Sequence, residues 1–384
     1  MFITYKNKKT EQEILNNTPK VQLKLVYGNH LRNKLIHGNN LSILKTLLDD
    51  YQLKGKIDLI YIDPPFSTNN CYKIGSSRSN TISMNNSDDI AYTDTIVNEY
   101  FLEFLRERLV LMREMMSEKA SIYLHIDYKI GHYVKIIMDE IFGKNNFRND
   151  ITRIKCNPKN FMRKAYGNIK DMILFYSKSG NNTWNEPKTS FSRQDIEKLF
   201  KKIDENGRRY TTIPLHAPGE TVNGKTGKPW RDMNPPEGRH WRSEPSVLEE
   251  LDKQGLIEWS KTGVPRKKIY ADEKDGKRMQ DIWEFKDPQH PQYPTGKNLD
   301  LLKFIIQTSS NKGDLILDSF CGSGTTLVAA QELGRNWIGI DSSEHAIKIT
   351  KKSLSKIPQE LFADNFEYEF LEEKTLENNY VISV

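Results

Sequence analysis

The stretch LILDSFCGSGTT, from Leu315 to Thr326, decides how this chain folds. An apolar run leads into an acid and then into a turn that contains Gly322 and Gly324. Glycines let the backbone turn sharply and let a ligand approach the main chain closely. The stretch therefore predicts a buried strand, a tight turn and a helix, which together begin an α/β unit.

The same alternation of strand and helix runs through most of the chain. Four other short apolar runs are typical of strands in a parallel sheet that is buried on both faces. They are Ile57 to Ile62, Ser121 to Ile126, Asp171 to Tyr176 and Asn336 to Ile340. Apolar residues at helical spacing predict helices over 98–119, 133–142, 299–309, 325–333 and 344–354. Helices of this length between strands predict a mixed, mostly parallel sheet.

The texture of the sequence divides the chain into five parts. We predict an N-terminal extension over 1–30, a first α/β half over 31–178 and a second α/β half over 293–356. Between the halves, 179–292 is rich in proline and tryptophan and breaks the rhythm, so we predict an inserted domain there. Residues 357–384 form an acidic C-terminal tail.

Positive charge is concentrated in the middle of the chain. The net charge is +6, and residues 151–296 hold 28 Lys and Arg against 20 Asp and Glu. This excess favours a polyanionic partner such as nucleic acid, although a solvated surface explains it equally well. The basic residues that we single out as candidate DNA contacts are Arg239, Arg242, Arg266, Lys267 and Lys268.

Cysteine usage and hydropathy exclude other classes of protein. Cys71, Cys156 and Cys321 are scattered without a CxxC pair, which argues against a disulfide framework or a structural zinc site. We therefore expect no metal. No stretch approaches the roughly 18 apolar residues of a membrane helix, and the N-terminus lacks the apolar core of a secretory signal. These features predict a cytoplasmic protein.

The glycine turn carries the first chemical signal. Asp341 ends the strand that follows the turn, about twenty residues after Asp318, where an acid can accept both hydroxyls of a ribose. Leu327 occupies the third glycine position of the dinucleotide motif, and no GK[ST] follows. The pattern points to S-adenosylmethionine (SAM) rather than to NAD or ATP. The candidate cofactor residues here are Asp318, Phe320, Cys321, Gly322, Gly324, Thr325 and Asp341.

The second signal is DPPF at the end of the apolar run from Ile57 to Ile62. The carboxylate of Asp63 and the carbonyl of Pro64 can accept the two N–H groups of an exocyclic amine, which frees the nitrogen lone pair for attack. Two prolines, Pro64 and Pro65, fix the backbone and remove competing donors. Phe66 offers a face for an unstacked base. We therefore predict that these four residues are catalytic.

The two motifs together resemble the SAM-dependent DNA amino-methyltransferases of bacterial restriction–modification systems. DPPF first, the SAM loop last and a long insert between them are similar to the beta class, including type II and type III modification enzymes. The resemblance spans about Leu35 to about Leu354. It implies a Rossmann-like α/β fold with one mixed, mostly parallel sheet and a target-recognition insert.

The same resemblance implies cofactor, substrate and partners. Asn39 matches a residue that approaches the cofactor adenine, and Thr295 and Lys297 match the segment that closes over the methionine part of SAM. Asn298 stands where the family usually has proline. The implied reaction is methylation of adenine N6 on a base flipped out of duplex DNA. A cognate restriction endonuclease and a homodimer are further implied.

Other functions stay open at this level. N4-cytosine methylation poses the same chemical problem, although Asp63 resembles the adenine enzymes and N4 enzymes more often carry serine there. Cytosine C5 methylation is disfavoured because no cysteine follows a proline. An NAD-dependent oxidoreductase, a non-catalytic DNA-binding protein, and an RNA or protein-glutamine methyltransferase are more distant alternatives.

Overall fold

The computed structural model describes residues 2–28, 32–65, 71–75, 78–80, 89–93, 98–158, 164–287, 297–357 and 368–374. Phe66 and Thr295, two of the predicted site residues, lie outside the described residues. The helices are α1 (Glu11–Asn17), α2 (Asn40–Asp49), α3 (Asn98–Met115), α4 (Gly131–Phe142), α5 (Arg193–Leu199), α6 (Pro245–Lys253), α7 (Leu299–Ser309), α8 (Thr325–Glu332) and α9 (Glu344–Leu354), with 3-10 turns at Lys144–Asn146 and Lys225–Gly227.

The strands alternate with these helices in the outer parts of the chain and dominate its middle. They are β1 (Leu23–Tyr27), β2 (Lys34–His37), β3 (Ile57–Ile62), β4 (Cys71–Gly75), β5 (Arg78–Asn80), β6 (Asp89–Thr93), β7 (Met116–Ile126), β8 (Phe147–Ile154), β9 (Lys170–Ser177), β10 (Lys188–Thr189), β11 (Lys202–Ile203), β12 (Arg209–Pro214), β13 (His216–Pro218), β14 (Arg239–Trp241), β15 (Ile257–Trp259), β16 (Pro265–Tyr270), β17 (Lys277–Arg278), β18 (Ile282–Glu284), β19 (Leu315–Asp318), β20 (Asn336–Asp341) and β21 (Glu369–Glu373).

The chain forms two compact units. The first combines Met1–Glu186 with Gln280–Val384, and the second is Pro187–Met279. The second unit is narrower than the predicted insert over 179–292, because β18 pairs in parallel with β8 and so belongs to the sheet of the first unit. Within the second unit, β11, β12, β16 and β15 form one sheet beside a small core that includes Trp230 and Trp241.

The first unit is built on one ten-stranded sheet in the order β1-β21-β2-β20-β19-β3-β7-β9-β8-β18. The central run from β21 to β7 is parallel throughout, as are β8 and β18. The pairs β1·β21, β7·β9 and β8·β9 are antiparallel. The predicted mixed, mostly parallel sheet is therefore confirmed.

Both faces of this sheet are covered, which explains the unbroken apolar runs. In β3, Ile60 and Ile62 belong to the core cluster that includes residues of α2, α3 and α4, whereas Leu59 and Tyr61 are buried outside that cluster. This is the alternation that a pleated strand imposes. On β20 the side chain of Leu327 in α8 would lie 2.4 Å from a Cβ added at Gly339, so this glycine lets the helix pack closely.

One predicted helix end is wrong, and both outer segments of the chain add strands to the large sheet. The helix predicted over 98–119 ends at Met115, because Met116 already pairs with Ile57 in the sheet, and strand pairing overrides local helix propensity. The predicted N-terminal extension contributes α1 and β1. The predicted acidic tail contributes β21, which lies between β1 and β2. Its buried apolar residues are Phe370 and Leu371, and they anchor the strand in the core.

Candidate functional site

The two motifs meet at one edge of the large sheet. Strands β3 and β19 are parallel neighbours, and Leu317 aligns with Ile60 in their pairing. Asp318 ends β19, and Asp63 follows directly after β3. The carboxyl edge of a parallel sheet is where ligands bind in open α/β folds. The fold therefore places these two distant parts of the sequence side by side.

One carboxylate oxygen of Asp63 has a partner and the other has none among the described residues. Its Oδ2 lies 2.6 Å from Nζ of Lys297. Its Oδ1 is buried and has no hydrogen-bond partner among the residues that the structure describes. A buried acceptor without a partner is costly, so it points to a donor that arrives with a ligand. Pro64, the next residue, is buried as well.

Lys297 is held in place by the residue that follows it. The side-chain oxygen of Asn298 accepts from the backbone N–H of Asp300 at 2.8 Å and so caps α7, while its amide donates to the carbonyl of Lys286 at 2.8 Å. Burial lowers the pKa of the Lys297 ammonium, but the charges of Asp63 and Asp171 outweigh it, and the net pKa is raised. Lys297 is therefore a cation at neutral pH.

A buried polar network lies close to this pair. The hydroxyl of Tyr61 donates to Nδ1 of His125 at 2.9 Å, and Nε2 of His125 donates to Asp171 at 3.2 Å. Burial lowers the pKa of His125, so the ring is neutral. Burial raises the pKa of the Asp171 carboxyl, but the bond from His125 and the charge of Lys155 hold it well below its usual range. The sequence signal that we missed is a histidine and an aspartate in otherwise apolar strands.

The glycine turn has the predicted shape. Gly322 has φ 52 and Gly324 has φ 78, values that side chains rarely adopt. A Cβ at Gly324 would lie 2.7 Å from Cγ2 of Thr350, whose hydroxyl donates to the carbonyl of Gly322 at 2.9 Å. Thr325 begins α8 directly after the turn. The loop is thus a tight backbone cradle at the end of β19.

Asp341 ties the turn to the next strand. Its two carboxylate oxygens accept from the backbone N–H groups of Gly322 and Ser343, each at 2.8 Å. Each oxygen keeps a second lone pair for a further donor. Burial raises the pKa of this carboxyl, although the two hydrogen bonds lower it in part.

Asp318 is the more deeply buried acid of the loop. Its Oδ1 accepts from the backbone N–H of Phe320 at 3.0 Å. Burial raises the pKa of this carboxyl to about 7, and the hydrogen bonds from Thr326 and from the backbone of Phe320 offset the effect of burial only in part. A carboxyl in this state favours a cation beside it. Burial also raises the pKa of the Cys321 thiol, which is therefore neutral.

Asn39 and its neighbour reach the same loop from α2. Asn39 caps α2 by accepting from the backbone N–H of Leu41 at 3.0 Å. Asn40, which we did not single out, donates to the carbonyl of Ser319 at 2.7 Å and accepts from Nε of Arg108 at 2.6 Å. The guanidinium of Arg108 stacks on Phe104, whose ring is 6.1 Å from that of Phe320. The start of α2 thus supports the glycine loop through the side chain of Asn40.

The second unit carries its own cluster of arginines. Arg239 donates to Nδ1 of His216 at 3.2 Å, Arg242 donates to the carbonyl of Pro214, and Arg266 donates to Thr212. Among the described residues none of these arginines forms an ion pair, in contrast to Arg208, which pairs with Asp272. Burial and then the three arginines lower the pKa of His216. Lys267 and Lys268 follow Arg266 on β16.

Two kinds of site are not found within the described part of the chain. No cluster of His, Cys, Asp and Glu there could hold a metal ion. No helix there is both long and apolar enough to cross a bilayer.

Comparison with known proteins decides the family. The family model described as DNA methylase, which covers N6 and N4 methyltransferases, matches residues 57–352. The chain belongs to the N6/N4 family of DNA methyltransferases. Members of this family transfer the methyl group of SAM, so the chain is a SAM-dependent DNA methyltransferase.

Individual relatives place this methyltransferase in the setting of restriction–modification. It is 41% identical over 328 residues to the type II methyltransferase M.EcaI of Enterobacter cloacae, covering 84% of this chain and 69% of that protein. It is 26% identical over 344 residues to the type III StyLTI Mod subunit of Salmonella typhimurium, covering 80% of this chain. The chain spans about half the length of that subunit, 51%.

A solved structure of a SAM complex, that of M1.HpyAVI, is also similar to this methyltransferase. The likeness covers 84% of this chain and 98% of that chain, with 18% sequence identity and a TM-score of 0.45.

Proposed function

We propose that this methyltransferase transfers the methyl group of SAM to N6 of an adenine that is flipped out of duplex DNA. The observation that carries the proposal is the buried, unpartnered Oδ1 of Asp63 at the sheet edge next to the glycine loop. That oxygen needs a donor, and an exocyclic amine supplies one. Aspartate at this position resembles the adenine enzymes, which favours N6.

The residues of the glycine loop fit the cofactor. Gly322 and Gly324 have no side chains, so a ligand can approach the backbone of the turn closely. The carboxylate of Asp341 has free lone pairs that can accept hydrogen bonds from ribose hydroxyls. The buried Oγ of Ser319 has no partner among the described residues and can also take part. Asp318 supplies negative charge for a cationic ligand. Bound there, SAM supplies a methyl group on a positively charged sulfur.

The remaining predicted cofactor residues have smaller proposed roles. Phe320 and Cys321 are part of the glycine loop, and Thr325 begins α8, the helix that follows it. Asn39 lies at the start of α2, from which it can approach the cofactor adenine. Thr295 keeps the role that the resemblance implies for the methionine part of SAM. Lys297 was predicted to lie against the same part of SAM, but its ammonium pairs with Asp63.

The proposed chemistry is a direct transfer. The two N–H groups of the target amine donate to Oδ1 of Asp63 and to the carbonyl of Pro64, which localises the lone pair on nitrogen. A bond forms from that nitrogen to the methyl carbon as the carbon–sulfur bond breaks, and the electron pair of that bond goes to sulfur. The extra proton on nitrogen passes to Asp63 and then to solvent. Orientation of well-placed reactants is worth on the order of 7–11 kcal/mol.

Duplex DNA is the proposed substrate, because a base inside a helix cannot reach the sheet edge and must flip out at a cost of a few kcal/mol. The second unit is the proposed target-recognition domain. The basic residues proposed to contact DNA phosphates are Arg239, Arg242, Arg266, Lys267 and Lys268. A partner endonuclease and a homodimer stay predictions, which co-purification and sedimentation of the purified chain would test.

Labelled methyl transfer tests the proposal directly. The chain is incubated with methyl-labelled SAM and mixed-sequence duplex DNA, and the DNA is digested to nucleosides. We expect the label in N6-methyladenine. Label in N4-methylcytosine would instead establish the N4 alternative, and label absent from DNA would overturn the proposal. Sequencing of the methylated positions in the same DNA would give the target site.

A further inference from the structure

Lys297 and Asp63 form an ion pair that is largely shielded from solvent. Their side chains are 11% and 17% exposed, and the Nζ–Oδ2 distance is 2.6 Å. A charge pair in this setting is screened far less than a surface pair. The ammonium pairs with Oδ2, and Oδ1 is the buried oxygen that has no partner among the described residues.

The surroundings of the pair make the lysine the counter-charge of Asp63. The titratable groups that act on Asp63 or on the lysine are Tyr61 on β3, His125 on β7, Asp171 on β9, Asp318 on β19 and Asp287, which follows β18 in the chain. His125 is neutral, and Asp171 and Asp318 are acids. The nearby cations Arg153 and Lys155 pair with Asp171, whereas Lys297 pairs with Asp63 itself.

Contacts of the neighbouring residues fix the position of Lys297. Asn298 both caps α7 and donates to the carbonyl of Lys286. The next residue, Asp287, pairs with the buried guanidinium of Arg153, whose Nε donates to the carbonyl of Phe285 at 2.7 Å. Asn298 is thus tied to Lys286, and Lys297, the residue before it, pairs with Asp63 at the sheet edge.

We propose that Lys297 is a positioning residue for Asp63, supplying the counter-charge of its carboxylate and holding Oδ2 so that Oδ1 faces the target amine. This inference rests on the proposed function, and it replaces the expectation that Lys297 binds the methionine part of SAM. The two roles differ in what they predict. A positioning residue affects the transfer step and its dependence on pH, whereas a cofactor residue affects the affinity for SAM.

The test compares Lys297→Met and Lys297→Arg with the wild-type chain. Single-turnover methyl transfer to DNA is measured from about pH 5.5 to about pH 9, and SAM affinity is measured by calorimetry. Without the ammonium, a buried carboxylate favours its protonated form. In Lys297→Met we therefore expect the acid limb of the rate profile to move to higher pH by about one to three pH units. SAM affinity should stay within about threefold of wild type.

The arginine variant and a matched lysine complete the design. Lys297→Arg keeps the charge, so its acid limb should stay near that of wild type even where the rate falls. Lys303 on α7 also forms an ion pair at 2.6 Å, with Glu332, and Lys303→Met should leave both measurements unchanged.

Two results separate the possible failures. An unmoved acid limb in Lys297→Met, together with a large loss of SAM affinity, would assign the lysine to the cofactor and overturn the inference. A wild-type chain that methylates no amino group in DNA would overturn the proposed function itself, independently of any variant.

Discussion

The backbone N–H of Gly322 donates to the carboxylate of Asp341 at 2.8 Å, which links the glycine turn after β19 to the end of β20. The same carboxylate is the proposed acceptor for the ribose of SAM. One acid therefore shapes the loop and also serves the ligand. Substituting it should affect both the turn and the affinity for the cofactor.

We expect Asp341→Ala to weaken SAM binding by about tenfold to a hundredfold, because a hydrogen bond to a charged group contributes about 1.5–3 kcal/mol. Calorimetric titration with SAM measures the change. Glu344→Gln is the control, since this acid lies three residues further on at the start of α9 and pairs with Lys348 on the surface. Equal affinity in Asp341→Ala and wild type would mean that the cofactor loop has been misassigned.

The close approach of Gly324 to Thr350 gives a second prediction. Gly324→Ala should destabilise the fold by more than about 1 kcal/mol, because φ is positive and the new methyl group would meet Thr350. Gly313→Ala is a matched control, because φ is also positive there but no atom lies within 4 Å of the added Cβ. Urea unfolding of both variants isolates the cost of the contact. Equal losses in the two variants would show that strain alone matters.

The raised pKa of Asp318, about 7, predicts how SAM binding depends on pH. SAM is positively charged at sulfur, so it binds better to the ionised carboxylate. Affinity should therefore rise as pH increases through about 7, and binding should release protons near and below that pH. Calorimetry in two buffers with different ionisation enthalpies measures the proton count. In Asp318→Asn this proton release should disappear, and its persistence would assign the protons to another group.

Substitution of Asp63 should separate the binding of SAM from the transfer of its methyl group. Asp63→Ala should lower methyl transfer by at least about a hundredfold, because both the amine acceptor and its charge are lost. SAM should still bind, since the described contacts of the glycine loop do not involve Asp63. Paired measurements of SAM affinity and single-turnover transfer test this. Asp58→Ala is a control, because Asp58 lies on the same strand but accepts from Ser117 and from the backbone of Leu315. Near-normal transfer by Asp63→Ala would remove Asp63 from the mechanism.

Much of this architecture could be predicted because its signals are local. The helices Leu299–Ser309 and Glu344–Leu354 match the sequence predictions at both ends. Asn298 and Ser343 cap them, and both are residues that favour the cap position. The apolar run of β3 likewise required burial on both faces. Where caps and periodicity agree, sequence and structure agree.

The features that were missed depend on distant partners. Strand β21 has only a short apolar core, and it becomes a strand because β1 and β2 pair with it on either side. The contact between Lys297 and Asp63 joins residues that are far apart in the sequence. No local pattern reveals such a pair. Asn298 stands where the family usually has proline. Only the structure shows what the asparagine does: its side chain caps α7 and donates to the carbonyl of Lys286.

The arginines of the second unit yield the last prediction, which concerns DNA affinity. If Arg239 and Arg242 bind phosphates, each change to alanine should lower the slope of log affinity against log salt by about one and weaken binding to all sequences alike. Arg208→Ala is the matched control, because its guanidinium is already neutralised by Asp272 and Glu273. Fluorescence anisotropy with a labelled duplex at several salt concentrations measures the slopes. Because Arg239 and Arg242 have no ion-pair partner among the described residues, binding DNA costs them no existing pair. If both variants have the same slope as the wild-type chain, other residues of the chain contact the phosphates.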